Sequence, residues 1–281
     1  FISFGLIFFS LISFYLNYKI KEYLIIIFSS IFLGLYSFEF YLSFYPLPTK
    51  NNKFYEQITE QKFDPRSKIE IYNDLKKDGK DYSISIPPTT FLKENIKILP
   101  FSGISNSKTI FCKENGYYAI YDSDRYGFNN PDKEWDNKNI EYLLIGDSFT
   151  QGACVNRPND IGSVLRTLSK KSVLNLGYAS NGPLIEYSVL REYLDTNIKN
   201  ILWIYYEGND LHNLENELGN NILVKYLQDL NFSQNLRSKQ NLIDNALRKK
   251  IGIEEKKSKF KLSDFIKFYN LRSKIIPPPS L

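Results

Sequence analysis

Residues 141–152, EYLLIGDSFTQG, decide the fold. The first half, YLLI, is an unbroken apolar run, the pattern of a short strand buried on both faces of a parallel sheet. Gly146, Asp147 and Ser148 end it. A serine there is presented at the carboxyl edge of the sheet, where open α/β folds place their ligands. Gly146 and Gly152 leave the backbone free to turn tightly around it.

Two further stretches repeat this grammar. SVLNLG (172–177) reads as a strand, followed by YASNGP and a helical segment, LIEYSVLREYL. NILWIYYEG (200–208) reads as a third strand and runs into Asn209 and Asp210. Gly146 and Gly177 are 31 residues apart, and Gly177 and Asn209 are 32 apart. Successive βαβ units take ~30 residues, so the expected fold is α/β, a three-layer α/β/α domain on a parallel sheet. The spacing brings three polar strand ends to one edge.

GDSFTQG resembles the first sequence block of the SGNH (GDSL-type) hydrolases and acyltransferases. NLGYASNGP is similar to the second block and YYEGND to the third, in the family's order and spacing. DRYGFNNPD (124–132) is similar to the lead-in of some membrane-bound members. The main resemblance covers roughly residues 140–210. Each piece alone also reads as an ordinary turn; the order of all three carries the likeness.

The resemblance implies roles. Ser148 would be the nucleophile of an acyl-serine mechanism. The backbone N–H groups of Ser148 and Ser180 and the side-chain amide of Asn209 would form an oxyanion hole, each donor worth ~3 kcal/mol in the transition state. Asp147, Gly177, Gly182 and Asp210 would support these loops. Two positions depart from the pattern. Ser180 stands where the family has glycine, and the glycine of the third block is displaced to Gly208. A serine hydroxyl needs a base to take its proton. The family draws it from a late D-x-x-H block, and the lone histidine here, His212, follows the third block directly and reads as a loop residue at the site edge, with general base in an unusual arrangement as the alternative. The D-x-x-H is expected beyond Leu281, on the reading that the chain, which has no Met, is a fragment.

The implied activity is a serine esterase or O-acyltransferase acting on ester-bearing small molecules or polysaccharides, with cell-envelope glycans the expected class. The rival is an inactive SGNH-like module that binds glycan or protein. Neither metal nor cofactor is expected, since no His/Cys/carboxylate group has ligand spacing. The net charge of +5, without finger or groove motifs, gives no case for nucleic acid.

Residues 1–16 carry no charge, and residues 24–44 are apolar apart from Glu39. About 20 apolar residues cross a bilayer, so residues 1–44 read as a transmembrane helical hairpin whose polar hinge holds Lys19, Lys21 and Glu22. Glu39 lies near a helix end, where a carboxylate reaches the interface cheaply. The two lysines favour the cytoplasm, which sends the rest outward. A bacterial inner membrane is expected, with the domain in the periplasm or at the cell exterior; the Lys- and Asn-rich, Ala-poor composition fits an AT-rich bacterial genome.

Residues 45–67 read as a linker, 68–138 as a β-rich accessory region and 139–281 as the SGNH-like domain. TIFC and YYAIY flank Glu114-Asn115-Gly116, a hairpin signal. Cys112 and Cys154 are the only cysteines; outside the cytoplasm they read equally as a disulfide or as two buried thiols. Residues 221–274 read as a helical, Lys-rich insertion. Arg237 to Lys274 holds 12 Lys/Arg against 4 Asp/Glu. That excess suits a solvated face, or a surface resting on anionic lipid or an acidic glycan.

Overall fold

The computed structural model describes residues 15–44, 54, 56–58, 60, 62–114, 116–194, 197–257 and 262–275. The chain divides into two compact units, residues 1–49 with 259–281, and residues 50–258.

In the first unit a helix runs from Tyr18 to Phe44. Among the described residues it alone is long and apolar enough to cross a membrane. One such helix therefore stands where two were expected; residues 1–14 of the first expected span lie outside the described residues, and Tyr15 and Leu16 form a turn and a bend. The hinge is also corrected. Lys19, Lys21 and Glu22 are helical, because Asn17 starts the helix by accepting the Lys19 N–H on Oδ1 (3.2 Å) and the Lys21 N–H on its carbonyl (3.1 Å). The span holds no Pro, and its one glycine, Gly34, costs only about 1 kcal/mol of helix propensity. Helices Leu262–Ile266 and Tyr269–Ile275 belong to the same unit.

The second unit holds two three-stranded sheets. In the smaller, β1 (Tyr82–Ile84) pairs parallel with β2 (Lys108–Ile110), and β2 pairs antiparallel with β3 (Ile120–Asp122). The expected hairpin is there: the Phe111 N–H donates to the Ala119 carbonyl, and the Ala119 N–H to that of Cys112, both at 2.9 Å. Asn115 lies outside the described residues. This region opens on a helix, Lys68–Lys76, rather than on strands alone. A capping box starts it: Ser67 Oγ accepts from Glu70 N (3.3 Å) and Glu70 Oε2 from Ser67 N (2.7 Å).

The larger sheet has the order β5–β4–β6, with β4 at Ile140–Gly146, β5 at Val173–Asn175 and β6 at Ile198–Ile204, all parallel. Leu143, Leu144 and Ile145 are fully buried, as an apolar central strand requires; each buries a side chain worth ~1.5–3 kcal/mol. Helix Pro183–Tyr193 covers it with Leu184, Ile185, Ser188 and Val189 on one buried stripe. The third strand departs from expectation. Ile201, Leu202 and Trp203 are exposed, and β6 is paired on one edge only among the described residues.

Residues 221–257 are helical as expected, at Asn221–Gln228 and Gln240–Lys257. Their packing partner is the surprise. Ile243, Leu247 and Ile251 are buried in the core. Asp244 accepts from Ser105 N (3.0 Å) and Oγ (2.7 Å), and Arg248 pairs with Asp81 (2.8 Å). The helix thus packs against residues 81–105 within the same compact unit.

Candidate active site

Three strand ends meet as the spacing implied. Gly146, at the end of β4, lies in register with Ile204 at the end of β6. On the other side the Tyr178 N–H donates to the Gly146 carbonyl (3.1 Å). The residues after β5 therefore flank the Ser148 turn on one side and those after β6 on the other. The tilted rings of Phe149 and Tyr206 meet across the gap with centroids 5.0 Å apart.

Ser148 opens a single helical turn, Ser148–Gln151. Asp147 precedes it as the N-cap, accepting the Phe149 N–H on Oδ1 (2.9 Å). Gly152 ends the turn in the left-handed region at φ +95°. Asp147 is buried while Ser148 is half-exposed. The cap thus holds the turn from behind and leaves the serine facing out, with no side-chain hydrogen bond to Ser148 Oγ among the described residues.

Close approach explains two glycines. A Cβ on Gly146 would lie 2.1 Å from Thr150 Oγ1 and 2.8 Å from the Ile204 carbonyl oxygen. One on Gly177 would lie 2.5 Å from Thr150 Cβ. Ser180 sits at φ +60°, the left-handed region that favours glycine; the side chain at this position is held at a backbone cost.

A brace surrounds the turn. Asn129 Nδ2 donates to the Gln151 carbonyl (2.8 Å), Gln151 Oε1 accepts the Ala179 N–H (2.7 Å), and Gln151 Nε2 donates to Tyr121 Oη (2.9 Å). Asn130 ties the DRYGFNNPD segment to β5, donating to the Asn175 carbonyl and accepting the Asn175 N–H, each at 2.8 Å. Asp124 is fully buried beneath it. Burial pushes its carboxyl up to about 6, against donation from Trp135 Nε1 and Asn130 Nδ2, both at 2.8 Å. Cys112 and Cys154 form a disulfide, Cα atoms 5.0 Å apart, which fastens the β2–β3 hairpin to the loop six residues past Ser148.

Behind the second and third blocks lies an acidic cluster that the motifs did not reveal. Burial drives the Glu186 carboxyl up to about 8, opposed by the Trp203 Nε1–H bond to Oε2 (2.6 Å) and reinforced by nearby Asp210, Asp147 and Glu217. Glu217 is pushed to about 7 by burial, although it accepts the N–H groups of Gly182 (2.6 Å), Leu184 (2.9 Å) and Ile185 (3.2 Å). Burial raises Asp147 and Asp210 as well. The signal available in sequence was Glu186, an acid beside Val189, Leu190 and Tyr193 on a helical face; Glu217 follows Asp210 and Asn213 on a mostly polar face and gave none.

Asn209 is the N-cap residue of helix Asp210–Glu217, and its Oδ1 is buried without a partner among the described residues. Asp210 accepts the Tyr206 N–H (2.7 Å) and so shapes the loop carrying Asn209. Asn181, beside Ser180, is fully buried with both amide atoms unpartnered among the described residues. His212 is a helix residue rather than a loop residue. Its side chain is 77% exposed, with Nδ1 3.9 Å from Glu215. Among the described residues no group of three or more His, Cys, Asp and Glu could hold a metal ion. Compared with protein-family models, curated proteins and solved structures, this chain matches none.

Proposed function

We propose that the chain is a membrane-anchored serine esterase or O-acyltransferase of the SGNH type. Ser148 attacks an ester carbonyl and carries the acyl group, which passes to water or to a sugar hydroxyl. The Ser148 and Ser180 N–H groups and the Asn209 amide stabilise the oxyanion, preorganised donors being the largest single aid to such a step. The meeting of the three blocks at one sheet edge, through the Gly146 register with Ile204 and the Tyr178–Gly146 bond, carries this reading. Helix Tyr18–Phe44 supplies the anchor. The disulfide fits an oxidising compartment outside the cytoplasm, and ester-bearing envelope glycans are the substrate class suited to that location.

A second reading has a specific observation in its favour: no base is bonded to Ser148 Oγ among the described residues, and His212 points to solvent. A module that binds glycan without turning it over needs no base. A fluorophosphonate probe separates the two, because only an activated serine is labelled. The enzyme reading expects labelling of the full chain that is lost in Ser148→Ala. Absence of labelling, with retained glycan binding, would leave the binding module standing; labelling that persists in the variant would remove Ser148 as nucleophile.

A further inference from the structure

Glu39 is the feature that membrane anchoring alone leaves unexplained. It lies on the apolar helix Tyr18–Phe44, five residues from its end, and is fully buried. That helix has 27 residues, about 40 Å at 1.5 Å per residue, against ~30 Å of hydrocarbon. With the Lys19–Glu22 turn placed in the polar layer, Glu39 falls roughly 6 Å inside the opposite boundary. A carboxylate at that depth is costly unless donors surround it.

The donors come from the far end of the chain. Glu39 Oε1 accepts the Asn270 N–H (2.8 Å) and Asn270 Nδ2 (3.0 Å), and Oε2 accepts the Leu271 N–H (2.9 Å). Ser43 Oγ accepts a second Asn270 Nδ2 bond (3.0 Å). One turn before Glu39, the Tyr36 ring lies 4.3 Å from that of Phe268 and 5.5 Å from that of Phe265. Both sets of contacts belong to one compact unit.

The docked segment has the chemistry of a bilayer surface. Ile266 and Tyr269 are exposed beside exposed Lys267 and Arg272. Residues 262–275 carry Lys267, Arg272 and Lys274 against Asp264. Basic and aromatic side chains together favour the headgroup layer, at the depth of ~5–10 Å where interfacial helices lie and where Glu39 holds this one.

We propose that residues 262–275 are an interfacial anchor, docked on the membrane helix through Glu39 and resting on anionic lipid headgroups. This rests on Tyr18–Phe44 being a membrane span, and the test separates the two. The full chain is placed in nanodiscs whose lipids carry acyl-chain spin quenchers, half phosphatidylglycerol and half phosphatidylcholine. A polarity-sensitive dye is attached to a single introduced cysteine, Tyr269→Cys or Leu33→Cys in the span, the native pair being held as a disulfide. The expected result is strong quenching at 33 and 269 against the same labelled proteins in quencher-free nanodiscs. Adding Glu39→Ala, or Asn270→Ala, should cut quenching at 269 several-fold and leave that at 33 unchanged. Position 269 as unquenched as in quencher-free nanodiscs, with 33 quenched, overturns the anchor. Loss of quenching at 33 as well overturns the span itself. Equal quenching at 269 in phosphatidylcholine alone overturns the role of lipid charge.

Discussion

Gly177→Ala tests the close approach on which the Ser148 turn depends. The added Cβ would sit 2.5 Å from Thr150 Cβ, 2.6 Å from Thr150 Cγ2 and 2.7 Å from the Gln151 nitrogen. Carbon atoms rest at about 3.5–4.0 Å, so the loop after β5 and the Ser148 turn must separate by roughly 1 Å. One of the three obstacles is backbone, and no rotamer change relieves it. Overpacking of this kind costs about 1–3 kcal/mol. A displacement of ~1 Å between nucleophile and oxyanion donors lowers reactivity by up to about a hundredfold. Urea unfolding should show an earlier midpoint with an unchanged slope, and fluorophosphonate labelling should slow. Thr150→Gly in the same chain removes two of the three contacts and should restore part of the stability. A Gly177→Ala protein with the wild-type midpoint and the wild-type labelling rate would refute the reasoning.

Three other outcomes are expected. Ser180→Gly should raise stability by about 0.5–1 kcal/mol, since it relieves a left-handed residue; a lower midpoint in urea would count against that. Asp124, Glu217 and Glu186 have folded pKa values raised to about 6, 7 and 8, so the stability they contribute is full below the unfolded values near 4 and is lost as pH rises through 6 to 8. Asp64 and Asp132, lowered by hydrogen bonds from Arg66 and Arg125, act in reverse below pH 4. Unfolding midpoints should therefore decline from pH 5 to pH 8, and Glu186→Gln should flatten that slope; a rise over the same range contradicts the assignment. Cys112→Ser with Cys154→Ser opens a link of sequence separation 42, worth about 4 kcal/mol by chain entropy. Two alkylatable thiols in the unreduced wild-type protein would rule that link out.

The features legible in the sequence were those written locally. The apolar run 142–145 and the even spacing of Gly146, Gly177 and Asn209 specified a parallel sheet and which strand ends would meet. Ser180 was visible as a departure, and its φ of +60° supplies the reason that glycine is preferred there. Contacts between distant residues were not legible. Residues 221–274 read as helical and Lys-rich, but nothing in them said that the face holding Ile243, Leu247 and Ile251 packs against residues 81–105. Nothing in Glu186 or Glu217 named Trp203 or Gly182 as partners. Glu39 looked like a residue at the end of a span because its donors lie 231 and 232 residues away. Residues 19–22 misled because charge was taken for a break, when charged residues are good helix formers.

The Glu217 bond to Gly182 has a mechanical consequence. Helix Pro183–Tyr193 has no cap of its own, because Gly182 offers no side chain. Its first turn is closed by a carboxylate at the far end of helix Asp210–Glu217, the same helix that begins at Asn209. That helix is a lever eight residues long, roughly 12 Å, with Asn209 at one tip and the amides behind Ser180 at the other. A ligand that draws Asn209 toward Ser148 must tug on Gly182 in the same stroke. The loops that carry Ser180 and Asn209 are therefore coupled as one body, and inserting or deleting a residue between 210 and 217 uncouples them.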